Sequence, residues 1–261
     1  MRMTLHKGLT IGALLAGIAV LLGVMIADGK QKRTQVCSSL KVEFTDSLKF
    51  VSTEDVRQCL DKMYGSYIGQ RIDSVNLDKM ETLLDARSAV LKSEAYITRD
   101  GTLHVLISQR KPVIRFQKGD DGFYADDRGF IFPLHQGYSS DVPVIDGHIP
   151  LWHDSGYRGL PQGRKEAEWM KDILEMTKII SQDKVWRNSI VQISVRQDGD
   201  IVLIPREGDE RFIFGNPTDV RKKLGRMAKY YEYIRPVVGE DFYKTVNVKY
   251  DGQVICRRDR R

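Results

Sequence analysis

The sequence predicts an α+β protein with a single N-terminal transmembrane helix, a small βααββ domain and a larger antiparallel-sheet domain with two helices. Three observations support this fold class. An uncharged apolar stretch lies near the N-terminus, and two helical patterns follow the first strand-like run. Further on, three Asp-Gly pairs each separate two runs of alternating apolar and polar residues. Such pairs favour hairpin turns because both turn positions need positive φ.

The transmembrane helix is predicted at Leu9–Ala27, which carries no charged residue. At a rise of about 1.5 Å per residue the stretch spans about 28 Å, close to the hydrocarbon thickness of a bilayer. A cleaved signal peptide is the alternative, but Met25–Asp28 lacks the small-residue cleavage site that it needs. We therefore expect a cytoplasmic stub at 1–8, an anchor at 9–27 and a linker at 28–39. Basic residues flank both sides, so we place the N-terminus in the cytoplasm because the large folded part is then exported.

The βααββ domain is predicted at 40–111. Its first strand is Leu40–Phe44, where apolar and polar residues alternate. Ser52 and the two acidic residues that follow are typical of a helix N-terminus, and the pattern Leu77–Leu84 predicts a second helix. The Asp100-Gly101 pair lies between two alternating runs and predicts the closing hairpin.

The larger domain is predicted at 112–257, because proline disfavours a central strand and Pro112 therefore ends the first domain. Alternating runs around Asp198-Gly199 and Asp251-Gly252 predict two hairpins. The strand after the second hairpin is the last one before a basic tail at 258–261. We expect this strand to form an edge of the sheet.

Two helices are predicted within this domain. Apolar residues at helical spacing mark the first at Trp169–Ile180. The second is expected to begin at Asn216-Pro217, because asparagine suits the N-cap and proline the first turn, and to end at Arg235-Pro236. The proline- and glycine-rich segment 143–163 predicts a long loop before the first helix.

The composition is that of a globular protein, with 41% hydrophobic and 29% charged residues. A formal net charge of +6 would suit nucleic acid, anionic lipid or an acidic partner. Acidic residues are interleaved with the basic ones and no nucleic-acid-binding motif occurs, so we expect no nucleic-acid partner.

No sequence motif for catalysis or cofactor binding is present, so we expect no enzyme activity, no cofactor and no small-molecule substrate. His148 and His153 lie near Asp154 and form a local cluster that a metal could use. Zinc sites have tighter spacing and more ligands, which favours a polar loop instead. Cys37 and Cys59 could pair in an extracytoplasmic domain, but the sequence leaves this disulfide open.

Five segments, taken in their order along the chain, resemble those of one known family. They are Thr102–Val113, Phe123–Gly129, Asp141–Gly147, Leu224–Arg226 and Val246–Gly252. The first is similar to a strand that ends in a charged residue and proline, the second to a D-x-x-G strand pair, and the third to an LP-x-L-x-G segment. The last two are similar to the closing helix and strand of the FtsQ/DivIB family of divisome proteins, in which a POTRA domain is followed by a β domain.

The resemblance implies a non-catalytic scaffold in the bacterial inner membrane at the division septum, with most of the chain in the periplasm. Such proteins recruit and bridge other division proteins. Their partners are small single-pass coiled-coil proteins of the FtsB/DivIC and FtsL types. A membrane-anchored envelope enzyme or sugar-binding protein of unknown reaction is the alternative function.

The resemblance also implies that the last strands and the nearby helix bind the partner, which adds a strand to the sheet. A terminal edge strand offers unpaired backbone N–H and C=O groups, as strand addition requires. The alternative is that these residues only close the sheet. The predicted partner-binding residues are Arg226, Lys249, Tyr250, Gln253, Val254, Ile255 and Arg257.

Overall fold

The computed structural model describes residues 35–135, 137–151 and 156–258. Within them the chain forms two compact units, which divide between Gln109 and Arg110. The predicted stub, the anchor at Leu9–Ala27 and most of the basic tail lie outside the described residues. None of the helices in the described ranges is long and apolar enough to cross a bilayer.

The first unit is a three-stranded sheet with two helices, and its element order confirms the predicted βααββ arrangement. In the sheet, β3 lies between β1 and β2, parallel to β1 and antiparallel to β2. The elements are β1 (Ser39–Phe44), α1 (Thr53–Cys59), α2 (Leu77–Asp85), β2 (Val90–Ile97) and β3 (Thr102–Gln109).

Local hydrogen bonds explain where the helices and the hairpin of this unit form. The Ser52 hydroxyl accepts a bond from the Asp55 amide, and the Asp55 carboxylate accepts one from the Ser52 amide, so the two residues form a capping box. Asn76 caps α2 by accepting from the Lys79 amide at 2.9 Å. Gly101 has φ +87° in the predicted turn between β2 and β3.

The second unit is a nine-stranded sheet with the order β12-β11-β10-β9-β8-β7-β4-β5-β6. Its strands are β4 (Pro112–Lys118), β5 (Asp121–Asp126), β6 (Ile131–Pro133), β7 (Val144–Gly147), β8 (Ile190–Val195), β9 (Ile201–Pro205), β10 (Arg211–Gly215), β11 (Thr245–Asn247) and β12 (Ile255–Arg257). Its helices are α3 (Arg164–Gln182), α4 (Val220–Lys229) and α5 (Arg235–Val238), with a π-helical turn at Tyr230–Ile234.

The α+β class is confirmed, but the prediction of an antiparallel sheet is wrong for this unit because the sheet is mixed. β7 is parallel to both β4 and β8, and β10 is parallel to β11. Helix α3 connects β7 to β8, and α4 with its continuation connects β10 to β11. A helical crossover returns the chain to the same end of the sheet, so the next strand runs in the same direction.

The start of α4 also differs from the prediction. The helix begins at Val220, and Asp219 precedes it with φ 51°. Asn216 does not cap the helix, because its carbonyl and side-chain oxygens accept bonds from Lys223 Nζ at 2.7 and 2.8 Å. At the other end, Pro236 lies in the first turn of α5, where a missing N–H costs little, and so the helical segment continues to Val238.

A row of cross-strand neighbours runs through the core of the second unit from β5 to β12. Helices α3 and α4 cover this face with buried residues such as Met170, Ile173, Leu224 and Met227. The row consists of Phe123, Phe116, Ile145, Ile193, Leu203, Phe212, Val246 and Cys256. Every member is buried except Cys256, which is half-buried on the last strand.

Candidate functional site

The two edge strands of the nine-stranded sheet differ in whether other backbone segments pair with them. At the β6 edge, Ile131 and Gly159 exchange two backbone hydrogen bonds of 2.8 and 3.0 Å, so a loop covers that strand. At the other edge, β12 pairs with β11 on one side, and no strand of the described residues pairs with its outer side. Among the described residues, β12 is therefore the edge strand that the sequence suggested, and its outer side is unpaired within those ranges.

The backbone groups that face outward from β12 can be identified from one hydrogen bond. The Arg257 carbonyl accepts from the Lys244 amide at 3.1 Å and so points toward β11. Successive residues of a strand direct their N–H and C=O groups to opposite sides. The N–H and C=O groups of Cys256 therefore point outward. Extended one residue beyond each end of β12, the same alternation would give Val254 and Arg258 the same direction.

The side chains of β12 divide between the two faces of the sheet. Cys256 lies opposite the buried Val246 and faces the core, and partial burial raises the pKa of its thiol. Ile255 and Arg257 lie on the other face, where Ile255 is 37% exposed and Arg257 is also exposed. The edge thus offers two exposed side chains on one face and one half-buried side chain on the other.

Lys249 holds the connection between β11 and β12 through an ion pair within its own unit. Its ammonium group donates to both carboxylate oxygens of Asp200 at 2.8 and 2.9 Å. This pairing holds the pKa of Lys249 above its usual value. The stem of the side chain passes close to Gly215, where an added Cβ would lie 2.7 Å from Lys249 Cγ. Lys249 is therefore held by its own unit and positions the hairpin.

Arg226 supports the same hairpin from helix α4. Its Nε donates to the Val248 carbonyl at 2.9 Å, and its Nη1 lies 2.9 Å from Asp251 Oδ1. Only 11% of the Arg226 side chain is exposed, so it lies beneath the turn rather than on the surface. In contrast, Tyr250 is 49% exposed and Gln253 is exposed.

The structure thus brings the seven predicted residues to one end of the sheet, in three groups. Arg226 and Lys249 brace the hairpin, while Tyr250, Gln253, Ile255 and Arg257 are accessible beside the open edge, and Val254 is half-buried against the core. Their direct contact with a partner stays a prediction.

The sequence did not predict the aspartates that pair with Lys249 and Arg226. It also did not predict the aromatic ring that lies beside Arg258. Asp200 and Asp251 hold Lys249 and Arg226, and Arg258 lies 3.6 Å from the centre of the Phe242 ring. Asp200 follows the predicted Asp198-Gly199 turn, which placed it at a strand end. The sequence contains no signal that pairs it with a lysine 49 positions away.

The remaining candidates for a functional site are the loop at His148 and the three cysteines. Within the described ranges, no group of three or more His, Cys, Asp or Glu side chains is arranged to hold a metal ion. His153 and Asp154 lie outside those ranges. Cys37, Cys59 and Cys256 are free thiols.

Comparison with known proteins gives two family matches that coincide with the two units. Residues 35–108 match the family described as POTRA-like domain, and residues 111–257 match the family described as FtsQ/DivIB, C-terminal related. Both families are non-catalytic. No curated protein matches the chain. The second match covers more than half of the sequence and confirms the resemblance found in its motifs, and the chain therefore belongs to the FtsQ/DivIB family.

Proposed function

We propose that the chain is a non-catalytic, membrane-anchored scaffold of the bacterial divisome that recruits and bridges septal division proteins through its extracytoplasmic domains. The observation that carries the proposal is the open edge at β12 in a member of the FtsQ/DivIB family. The uncovered backbone groups of this edge are the features that a protein partner can use by adding a strand.

The proposed arrangement has an inner-membrane anchor at Leu9–Ala27 and a cytoplasmic N-terminus. A POTRA-like domain at 40–111 and a β domain at 112–257 then lie in the periplasm. The proposed partners are single-pass coiled-coil proteins of the FtsB/DivIC and FtsL types. Such partners would lie in the same membrane, so the anchor would raise their local concentration around the β domain.

Strand addition alone is too weak to hold a partner firmly. The outward groups would belong to Cys256 and, by extension of its alternation, to Val254 and Arg258. Each backbone hydrogen bond contributes about 0.5–1.5 kcal/mol net. A few such bonds give only a few kcal/mol, which corresponds to dissociation constants of about a millimolar. Side-chain contacts at Tyr250, Ile255 and Arg257, together with membrane anchoring, must supply the rest.

The test is the capture of FtsB/DivIC- and FtsL-type proteins from cell membranes by the full-length chain. Val254→Pro removes an outward N–H from the edge, whereas Val254→Ala shortens the same side chain and keeps the amide. We expect the proline variant to capture at least about fivefold less partner and the alanine variant to retain most of it. Equal capture by both variants would show that the partner does not add a strand at this edge.

A further inference from the structure

One end of the first unit is the place where the chain enters it. Val36 and Arg71 form an antiparallel bridge there, between the first described residues and the loop after α1. The turn between β2 and β3 reaches the same end, since the Gly101 carbonyl accepts from the Ser38 amide at 2.8 Å. The π-helical turn Leu60–Tyr64 continues α1 and leads directly into the loop. We call this end the entry tip, and it consists of residues 35–38, 63–73 and 98–101.

Three large apolar side chains of the entry tip are exposed. Met63, Ile68 and Val36 are 63%, 47% and 44% exposed. Ile68 is the second residue of a tight turn, which the Gln70 amide closes by donating to the Tyr67 carbonyl at 3.2 Å. Turns of this kind favour Gly, Pro and small polar residues. Exposed apolar side chains are normal when they are scattered singly, whereas three at one end of a domain indicate an interaction surface.

The proposed anchor places the entry tip within reach of the bilayer. Eight residues lie between Ala27, at the end of the anchor, and Val36. A fully extended chain covers at most about 3.6 Å per residue, so these two residues are separated by at most about 32 Å. A contact made by a tethered domain is intramolecular, and a few side chains are then enough where a free domain would need a larger surface.

The charge of the chain before the entry tip suits a lipid surface. Residues 28–34 contain Lys30, Lys32 and Arg33 against a single acidic residue. Basic residues next to an anchor are attracted to anionic lipid headgroups. On the tip itself, Arg71 pairs with Asp73 at 2.6 Å and adds no net charge. Cations before the tip and apolar side chains on it together match a layer of anionic headgroups over hydrocarbon.

We propose that the entry tip contacts the periplasmic surface of an anionic bilayer through Val36, Met63 and Ile68, and that this second contact holds the first unit against the membrane. The inference rests on the proposed function, specifically on its anchor at Leu9–Ala27. The three side chains would enter the boundary between headgroups and acyl chains, where apolar faces of surface-bound segments are buried by about 5–10 Å.

The experiment measures the depth of a nitroxide label in the full-length chain, reconstituted in nanodiscs of phosphatidylglycerol and phosphatidylethanolamine. The label is attached at Ile68→Cys or, as a matched control, at Leu91→Cys. Leu91 is 45% exposed and follows Val90, which pairs with Gln109 at the opposite end of the sheet. Collisions of the label with oxygen, which enters hydrocarbon, are compared with collisions with a water-soluble nickel complex.

The label must report from one position only. Both variants therefore carry Cys256→Ser, because Cys256 is half-buried whereas Cys37 and Cys59 are buried. We expect the ratio of oxygen to nickel collisions to be several-fold higher at residue 68 than at residue 91, since the bilayer excludes the nickel complex. Replacing phosphatidylglycerol by phosphatidylcholine should lower the ratio at residue 68 toward that at residue 91, because the attraction of the basic residues is lost.

The outcomes separate this inference from the proposed function. Equal ratios at residues 68 and 91 in anionic nanodiscs, with partner capture intact, would overturn only the inference. A ratio at residue 68 that rises only when an FtsB/DivIC- or FtsL-type protein is added would show that a protein covers the tip, and the lipid contact would be wrong. A chain that fails to enter nanodiscs would overturn both. A label buried in lipid at residue 68, in a chain that captures no partner, would support the inference and overturn the scaffold.

Discussion

The ion pair between Arg110 and Asp126 is expected to control the stability of the second unit. The two groups approach to 2.6 Å, and only 11% and 4% of their side chains are exposed. The other Asp126 oxygen accepts the amides of Arg128 and Phe130 at 2.9 and 2.8 Å, and the Arg110 guanidinium lies 3.7 Å from the centre of the Phe130 ring. Arg110 thereby ties the first residues of the unit to the turn between β5 and β6.

Replacing Arg110 by Ala would leave the Asp126 carboxylate buried without its counter-charge. Removing one partner of a buried pair costs about 3–5 kcal/mol, and the two retained amide bonds favour the lower end, about 3 kcal/mol. For a unit of this size each kcal/mol lowers the melting temperature by roughly 2–4 °C, so a decrease of about 6–12 °C is expected. Arg110→Lys keeps the charge but loses the planar fork, and a smaller decrease is expected.

Tryptophan fluorescence measures this effect selectively in the full-length chain. The three tryptophans are at positions 152, 169 and 186, so all of them follow Arg110 in the sequence. The control is Arg115→Ala, which removes an arginine that donates to the neutral Gln117 amide at 2.8 and 3.0 Å and should cost about 1 kcal/mol. Equal melting temperatures for the Arg110 and Arg115 variants would show that the buried ion pair with Asp126 stabilises the unit no more than the contacts of Arg115 with Gln117.

Two further predictions concern the hairpins. Lys249→Glu should weaken partner capture, because it places a carboxylate against Asp200 and so distorts the β11–β12 hairpin. Adding Asp200→Lys should restore capture. A lack of restoration would show that Lys249 contacts the partner directly. In the first unit, hydroxyl donors from Thr98 and Thr102 lower the pKa of Asp100 to about 2. Because a lowered pKa stabilises the fold only while the carboxylate is charged, hairpin stability should fall as pH decreases from about 4 to 2. Amide exchange at Gly101 measures this, and Asp100→Asn should remove the dependence.

The sequence was most informative where structure depends on neighbouring residues. The Asp-Gly pairs predicted all three hairpins because the glycine conformation is a local property, and Gly101, Gly199 and Gly252 each have positive φ. The helix N-terminus at Ser52 was predicted for the same reason, since the capping partner Asp55 lies three residues away.

Features that depend on distant residues were not predictable. β7 has four residues within a proline- and glycine-rich segment, and it becomes a central strand only because β4 and β8 lie on either side of it. Its parallel pairing follows from a crossover that a local pattern does not encode. The pairing of Arg226 with Asp251 spans 25 positions. The family resemblance therefore predicted Arg226 as a partner-binding residue without showing that it braces the hairpin.

Addition of a partner strand at β12 can be tested by comparing two variants of the full-length chain. The quantity measured is the amount of partner captured by Val254→Pro divided by the amount captured by Val254→Ala. Tryptophan fluorescence must show the same melting transition for both variants, so that the comparison concerns the edge alone. We expect the proline variant to capture at least about fivefold less FtsB/DivIC- and FtsL-type protein, because the loss of one backbone hydrogen bond costs about 1 kcal/mol. A ratio near one, with both variants folded, would contradict it.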